Sequence, residues 1–277
     1  MKILFATDLH GKPAKFQRVL EIAKKNQVTA VVMGGDNLEW DLAASGNPIQ
    51  KQREFLTEFL DSHFSGYDEA RIHWIGIQSS HDLCALDDDF HRLCESHPYV
   101  DSISRGGCSL DGFDFIGMDL VADYPLPAKS RCRRDERHSE PGLQMGPPVV
   151  PSESGWEALS DWDRALKAMP SLEEELEALP PATNPAKTVY VIHHPPTGLG
   201  LDVIRGGKEI GSDAVRRFLK RTQPRLSLHG HAHDSPTVSG AWSADLGRTL
   251  CVQPGQEGNL TYVLIDAITL ACERFVE

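Results

Sequence analysis

Within its first 36 residues the chain runs strand, helix, strand, and this alternation constrains the fold more than anything that follows. Lys2-Ile3-Leu4-Phe5-Ala6 is an apolar run with a β-branched and an aromatic member, stopped by Thr7-Asp8-Leu9-His10-Gly11. From Ala14 to Lys25, apolar residues (Phe16, Val19, Leu20, Ile22, Ala23) recur at helical spacing, and Pro13 stands where a first-turn proline belongs. Thr29–Met33 is a second apolar strand, closing on Gly34-Gly35-Asp36-Asn37. The strands of a βαβ unit are normally parallel, so both end at the same edge of the sheet. That carboxyl edge is where open α/β folds bind ligands, and it carries Asp8 and Asp36. Side chains two apart in extended chain share a side, so Asp8 and His10 can converge on one point. A carboxylate beside an imidazole suits a zinc, iron or manganese ion.

The same arrangement returns along the chain. Residues 48 to 62 read as a second helix, and Arg71–Ile77 as a strand that ends in Gln78-Ser79-Ser80-His81-Asp82. A helical pattern covers about 87–96, and 100–118 reads as short strands joined at Gly106-Gly107 and Asp111-Gly112, pairs of the hairpin kind. Between Asp119 and Ala186 lie ten prolines, an arginine-rich patch (Arg131, Arg133, Arg134, Arg137) and few apolar runs. This composition marks an irregular insertion, with short helices expected near 155–168 and 171–178. An irregular segment of that length inside a compact domain is usually a lid or a mobile loop. Thr188–Ile192 is again a strand, ending in His193-His194-Pro195-Pro196. A helix follows at about 212–222, with Gly211 or Ser212 as its N-cap. The strand Arg225–His229 ends in Gly230-His231-Ala232-His233, and the remainder reads as a meander with turns at Asp245-Leu246-Gly247 and Pro254-Gly255.

Bulk properties limit the partners. A chain of 277 residues is long enough for one large α/β domain or two small ones. The formal net charge of -12 argues against a surface that grips nucleic-acid backbone. It does not exclude phosphorylated substrates, because bound divalent ions would invert the local potential. No run approaches the roughly 18 apolar residues of a membrane span, and the first strand leaves no room for a signal peptide. Six cysteines (84, 94, 108, 132, 251, 272) are scattered without a Cys-x-x-Cys, which fits reduced thiols in a cytoplasmic protein.

Taken together, Asp8-Leu9-His10, Gly35-Asp36, Ser79-Ser80-His81-Asp82, His193 and Gly230-His231-Ala232-His233 resemble the ordered motifs of the metallophosphoesterase (calcineurin-like phosphoesterase) family, over about residues 1–265. The later half also resembles a small prokaryotic branch of that family, through Gly211-Ser212, the Gly-His-x-His-x-Ser run and Pro254-Gly255. The resemblance implies a two-sheet αββα sandwich with flanking helices, formed by one domain spanning 1–277 and carrying the 119–186 insertion as a lid over the site. It implies Asp8, His10, Asp36 and His233 around one metal ion, and Asp36, Ser80, His193 and His231 around a second, with Asp36 bridging. Two cations roughly 3.5–4 Å apart activate a bridging hydroxide and hold the phosphate for in-line attack. His81 is implied to assist the leaving oxygen, and Asp82 to orient its ring. One position departs from the pattern: the family's Gly-Asn is Ser79-Ser80 here, so a serine hydroxyl stands where an amide oxygen ligates the second metal.

Other residues carry two readings each. Asn37 is a substrate contact or a turn former, and His194 bonds phosphate or packs under the two prolines. Arg133 and Arg134 clamp a phosphate or belong to a solvated loop mixed with Asp135 and Glu136. His229 alternates into the sheet, as a buried histidine with its needs met. The expected activity is metal-dependent phosphoester hydrolysis, phosphodiesters before phosphomonoesters, with two divalent transition metal ions. Manganese or iron is favoured, and zinc, cobalt and nickel also suit His/Asp ligands. The expected partner is a small phosphoester, nucleotides included; a homo-oligomer is compatible with the sequence, whereas nucleic acid and membrane are disfavoured. The alternative is a degenerate member that binds a nucleotide, a phosphate or a single metal and turns over little.

Overall fold

The computed structural model describes residues 1–39, 47–152 and 155–277. Twelve strands form two six-stranded sheets. In chain order they are β1 (Lys2–Ala6), β2 (Ala30–Met33), β3 (His73–Gly76), β4 (Val100–Ser102), β5 (Gly107–Leu110), β6 (Phe113–Met118), β7 (Thr188–Ile192), β8 (Leu226–Leu228), β9 (Ser243–Leu246), β10 (Thr249–Val252), β11 (Thr261–Asp266) and β12 (Cys272–Val276). The first sheet has the order β12-β11-β1-β2-β3-β4, parallel from β1 to β4 and antiparallel beyond β1. The second has the order β9-β10-β8-β7-β6-β5, with parallel inner strands and an antiparallel strand at each edge.

The two-residue period of each strand divides its side chains between two cores. Ile3 and Phe5 of β1 meet Val32, Ile75, Phe115, Val189, Val191 and Leu228 between the sheets. Leu4, from the other face of β1, packs under the helices α1 (Pro13–Asn26), α2 (Pro48–Glu54), α3 (Asp61–Ala70) and α4 (Asp87–Glu95), with Phe16, Phe64, Tyr67, Trp74 and Phe90. On the second sheet, Tyr190 and Ile192 turn outward beneath α6 (Leu172–Glu177) and α7 (Asp213–Thr222), while α5 (Trp162–Ala168) lies further out on the insertion. Each fully buried Leu, Ile or Phe contributes about 1.5–3 kcal/mol, so the layering rests on this alternation. Phe5→Ala alone should cost about 3–5 kcal/mol.

Several boundaries differ from the sequence expectation. The helix expected over 48–62 runs on to Ala70, through a π-helical turn at Phe55–Leu60. Asp111-Gly112 does make a tight hairpin, both residues having positive φ (50 and 75°). Gly106-Gly107 does not: there the chain leaves β4 of one sheet and enters β5 of the other. Gly117 is required where the two sheets approach, since a Cβ there would lie 2.2 Å from the Ile103 carbonyl oxygen. The tail likewise splits, β9 and β10 closing the second sheet and β11 and β12 the first. For α7 the cap is Ser212, whose hydroxyl accepts from the Val215 amide.

The 119–186 segment is more ordered than its composition suggests. Val149–Ser152 and Gly155–Ala158 pair as a hairpin, which corrects the helix expected from 155; α5 begins only at Trp162. Val121, Cys132, Trp162 and Leu166 form a small apolar core of their own. The segment is then fastened to α7: Asp135 accepts from the Asp213 amide (3.0 Å) and from the Ser212 hydroxyl.

Candidate metal centre

Five loops, each leaving the carboxyl end of a parallel strand, converge at one edge of the two sheets. They are locked to one another through the backbone: the Asp8 amide donates to the Gly35 carbonyl and the His10 amide to that of Asp36, each at 3.0 Å. Asp8, His10, Asp36 and His231 all have positive φ (57, 45, 51 and 70°). Residues other than glycine rarely adopt this left-handed backbone, and a cluster of such residues is characteristic of a functional site. Gly35 (φ 98°) is needed for a different reason, because a Cβ there would stand 2.6 Å from Ser79 Cβ and 3.0 Å from His193 Nδ1.

Asp8, His10, Asp36 and His233 each offer one ligand atom, all within 4.8 Å of one another. These are the four residues grouped by the motif order. His10 Nε2 lies 3.1 Å from His233 Nε2, and His233 Nε2 lies 3.2 Å from Asp8 Oδ1. His193 sits deeper. Its Nδ1 donates to the Gly34 carbonyl (2.7 Å), leaving Nε2 buried, 3.3 Å from Asp36 Oδ2 and with no hydrogen-bond partner. The ring of His231 lies 5.4 Å from that of His193, and its amide donates to both oxygens of Asp8. Ser80 donates its hydroxyl to the two oxygens of Asp36, at 3.1 and 3.0 Å. His81 is partly exposed; its amide donates to Asp36 Oδ1 (2.9 Å) and its Nδ1 lies 3.0 Å from His10 Nδ1.

The electrostatics suit metal ligation. Burial acts to raise the carboxyls of Asp8 and Asp36, yet the neighbouring histidines outweigh it and hold both well below the usual range. Burial depresses His10 to about 4 and takes His231 well below its ordinary value, so both rings present a lone pair at neutral pH. For His193 burial works downward, but Asp36 and Asp8 prevail and push it up to about 9, so a cation would have to displace the proton that this ring holds at neutral pH. Two carboxylates, several imidazole nitrogens and an orphaned, buried Nε2 form a donor set that fits a divalent transition metal.

The structure corrects other expectations. Asp82 does not serve as the orienter of the His81 ring, whose Nδ1 lies 3.3 Å from Asp36 Oδ2 instead. The Asp82 carboxylate is buried and accepts from the amides of Asn37 (3.2 Å), Leu38 (2.7 Å) and Ser79 (2.7 Å), tying two site loops together. Burial and the charge of Asp36 raise it to about 7. Asn37 is buried and donates to the Ile77 carbonyl (2.8 Å), as a loop former would, while its Oδ1 has no hydrogen-bond partner. His194 is buried and donates to the Ile210 carbonyl (2.9 Å), with its ring 4.7 Å from that of His231. Its Nδ1 is buried without a hydrogen-bond partner.

Arg133 and Arg134 face away from the cluster. Arg133 pairs with Glu175 (3.1 Å), and Arg134 donates to the carbonyls of Leu166 and Met169. His229 is buried as expected, with Nδ1 donating to the Ile192 carbonyl (2.8 Å) and Nε2 unpartnered. Two supporting residues escaped the sequence reading. Gln52 donates to the His81 carbonyl (2.7 Å) and accepts from the Leu83 amide; its one outward signal is a polar residue between the apolar Ile49 and Leu56 of a helix. Arg131, fully buried, donates to the Asp82 carbonyl (2.9 Å) and pairs with Asp119 and Asp87. Its place in the arginine run was visible, its burial was not.

Among the described residues no helix is long and apolar enough to cross a membrane. No curated protein matches the chain. A crystal structure covers 99% of this chain and 98% of its own length at 18% identity and a TM-score of 0.63. The crystal structure of TT1561 of Thermus thermophilus does so over the same shares at 18% identity and a TM-score of 0.59. Likeness at this level of identity shows the fold. The model of the calcineurin-like phosphoesterase family matches residues 1–235.

Proposed function

The chain belongs to the calcineurin-like phosphoesterase family, and from that premise we propose that it hydrolyses phosphoester bonds, phosphodiesters before phosphomonoesters, with two divalent transition metal ions. The observation that carries this reading is the convergence of Asp8, His10, Asp36 and His233, whose donor atoms lie within 4.8 Å of one another. These four residues would hold one ion. Asp36, His193 and His231 would hold the second, with Ser80 at its edge; manganese or iron is favoured. Bound there, the metal pair supplies Lewis acidity toward the phosphoryl oxygens and lowers the pKa of a water molecule.

The chain's own residues do the rest. Gly35 and the left-handed turns at Asp8, His10 and Asp36 aim the ligands, and Asp82 fixes the loops that carry Asp36 and His81. His81 borders the cluster and is partly open to solvent, which suits it to pass a proton to the leaving oxygen. Residues 1–277 act as one domain in this reading, and the 119–186 segment walls the site beside His231, where the Tyr124 ring lies 6.1 Å away. The substrate is a small phosphoester, nucleotides included, met in the cytoplasm.

One observation favours a second reading, a degenerate binder with little turnover. The Ser80 hydroxyl donates to both oxygens of Asp36, the bridging carboxylate, and so competes with a second cation for its lone pairs. Elemental analysis of protein purified without chelators, beside the Ser80→Asn variant, separates the two. The leading reading expects two metals per chain and turnover of bis(4-nitrophenyl) phosphate in the unaltered protein. One metal or none, rising to two with a large gain in rate in Ser80→Asn, would replace it with the second.

A further inference from the structure

A polar cavity of about 360 Å³ opens beside His233 and runs to Arg274 on β12. Between them it is lined by Thr237, Glu257, Gly258 and Asn259. Two charged side chains line it, Glu257 and Arg274, and their close contacts differ. The Glu257 carboxylate is fully engaged, one oxygen 2.6 Å from Arg205 Nη2 and the other accepting from the Thr237 hydroxyl at 2.7 Å. Arg205 is matched in turn, lying 3.5 Å from Asp234 as well. Arg274 is half-buried and donates Nε to the Pro254 carbonyl (2.6 Å); among the described residues its guanidinium forms no ion pair. A guanidinium that feels Glu257 only at longer range, with no carboxylate in contact, is suited to a bidentate grip on an anion.

The cavity is held in register with the metal ligands. The Gln256 amide donates to the His233 carbonyl (3.0 Å), and its side-chain amide donates to the Thr7 carbonyl (3.0 Å), one residue before Asp8. Lys15 fastens the same loop through Gln256 Oε1 (3.2 Å) and the Asn259 carbonyl (3.3 Å). Arg274, tied to the Pro254 carbonyl of the same loop, thus shares its anchoring with His233 and Thr7. Resting on the phosphoesterase reading, we propose that this cavity is a subsite for a second anionic group of the substrate, and that Arg274 selects phosphoesters bearing a distal phosphate or carboxylate.

The test compares propyl phosphate with propane-1,3-diyl bisphosphate, by calorimetric binding to the manganese-loaded protein and by phosphate release. The expected result is at least tenfold tighter binding of the bisphosphate, with the ratio falling toward one in Arg274→Gln. A cavity-filling Gly258→Trp variant should abolish the preference in the same way. Nothing lies within 4 Å of a Cβ at Gly258, so that position accepts a side chain while Arg274 itself is kept. Equal affinity for the two compounds in the unaltered protein, or a preference that survives in both folded variants, overturns the subsite. Turnover without preference would leave the hydrolytic reading standing and remove the subsite; preference without turnover would do the reverse.

Discussion

The strand-end loops and the 119–186 segment meet at Asp82, where Arg131 donates to the Asp82 carbonyl, yet they handle charge in opposite ways. In the loops, groups of similar character crowd together: His10 nitrogens lie 3.0 Å from His81 and 3.1 Å from His233, and two carboxylates share the same space. In the segment most cations have a carboxylate of their own, Arg134 donating to backbone carbonyls instead. Lys129 pairs with Asp123, Arg131 with Asp119 and Asp87, Arg133 with Glu175, and Arg137 with Glu177. Several donor atoms crowded onto one point suggest a ligand that completes the site, whereas one-to-one pairing points to architecture. An arginine run in sequence does not distinguish these two uses; the partners do.

The comparison can be broken at several points. The largest effect is expected from Asp36→Ala, which should reduce turnover of bis(4-nitrophenyl) phosphate by on the order of a thousandfold, the scale of losing an electrostatic stabiliser at a reacting centre. Retention of full rate by a folded variant would mean that the converging loops are not the reacting centre. Next, Arg131→Ala leaves the buried Asp119 without its principal partner, and urea unfolding should register a loss of about 3–5 kcal/mol. An unaffected midpoint would show that the segment is not held by these pairs.

His63 sharpens the contrast among histidines, because it is surrounded by Phe16, Phe59 and Tyr67 and kept from charge. Burial lowers it to about 4 from 6.5, so between those values the unfolded chain binds the extra proton and the folded one does not. Its contribution is complete above pH 6.5 and is lost as the pH falls toward 4, by about 3 kcal/mol in all. His63→Phe should flatten that part of a stability–pH curve; an identical slope would contradict the assignment. The smallest effect belongs to Arg133→Ala, below about 1 kcal/mol in stability and with KM unchanged. A tenfold rise in KM would restore a clamping role to that arginine.

How far these differences could be read from sequence depended on range. The βαβ start and the strand ends were legible, because period-two apolar runs are local facts; the grouping of Asp8, His10, Asp36 and His233 came only through the family resemblance. The split of the tail between two sheets was not, since β10 and β11 have the same hairpin-like spacing whichever sheet they join. Asp82 was misassigned for a related reason. Adjacency to His81 suggested contact, but its carboxylate reaches amides of Asn37 and Leu38 some forty-five residues away in sequence. The burial of Arg131 and Lys129 could not be seen either, as it depends on Asp119, Asp123 and Trp162 closing around them.

The left-handed turns at Asp8, His10, Asp36 and His231 set backbone preference against chemistry. Glycine is the residue such a turn accepts most readily, and glycine has no side-chain atom to offer a cation. At four points, then, the change that relaxes the chain is also the change that silences it. A descendant of this protein that drifted under pressure for robustness alone would keep the contour of these loops and lose the donor atoms they bring together.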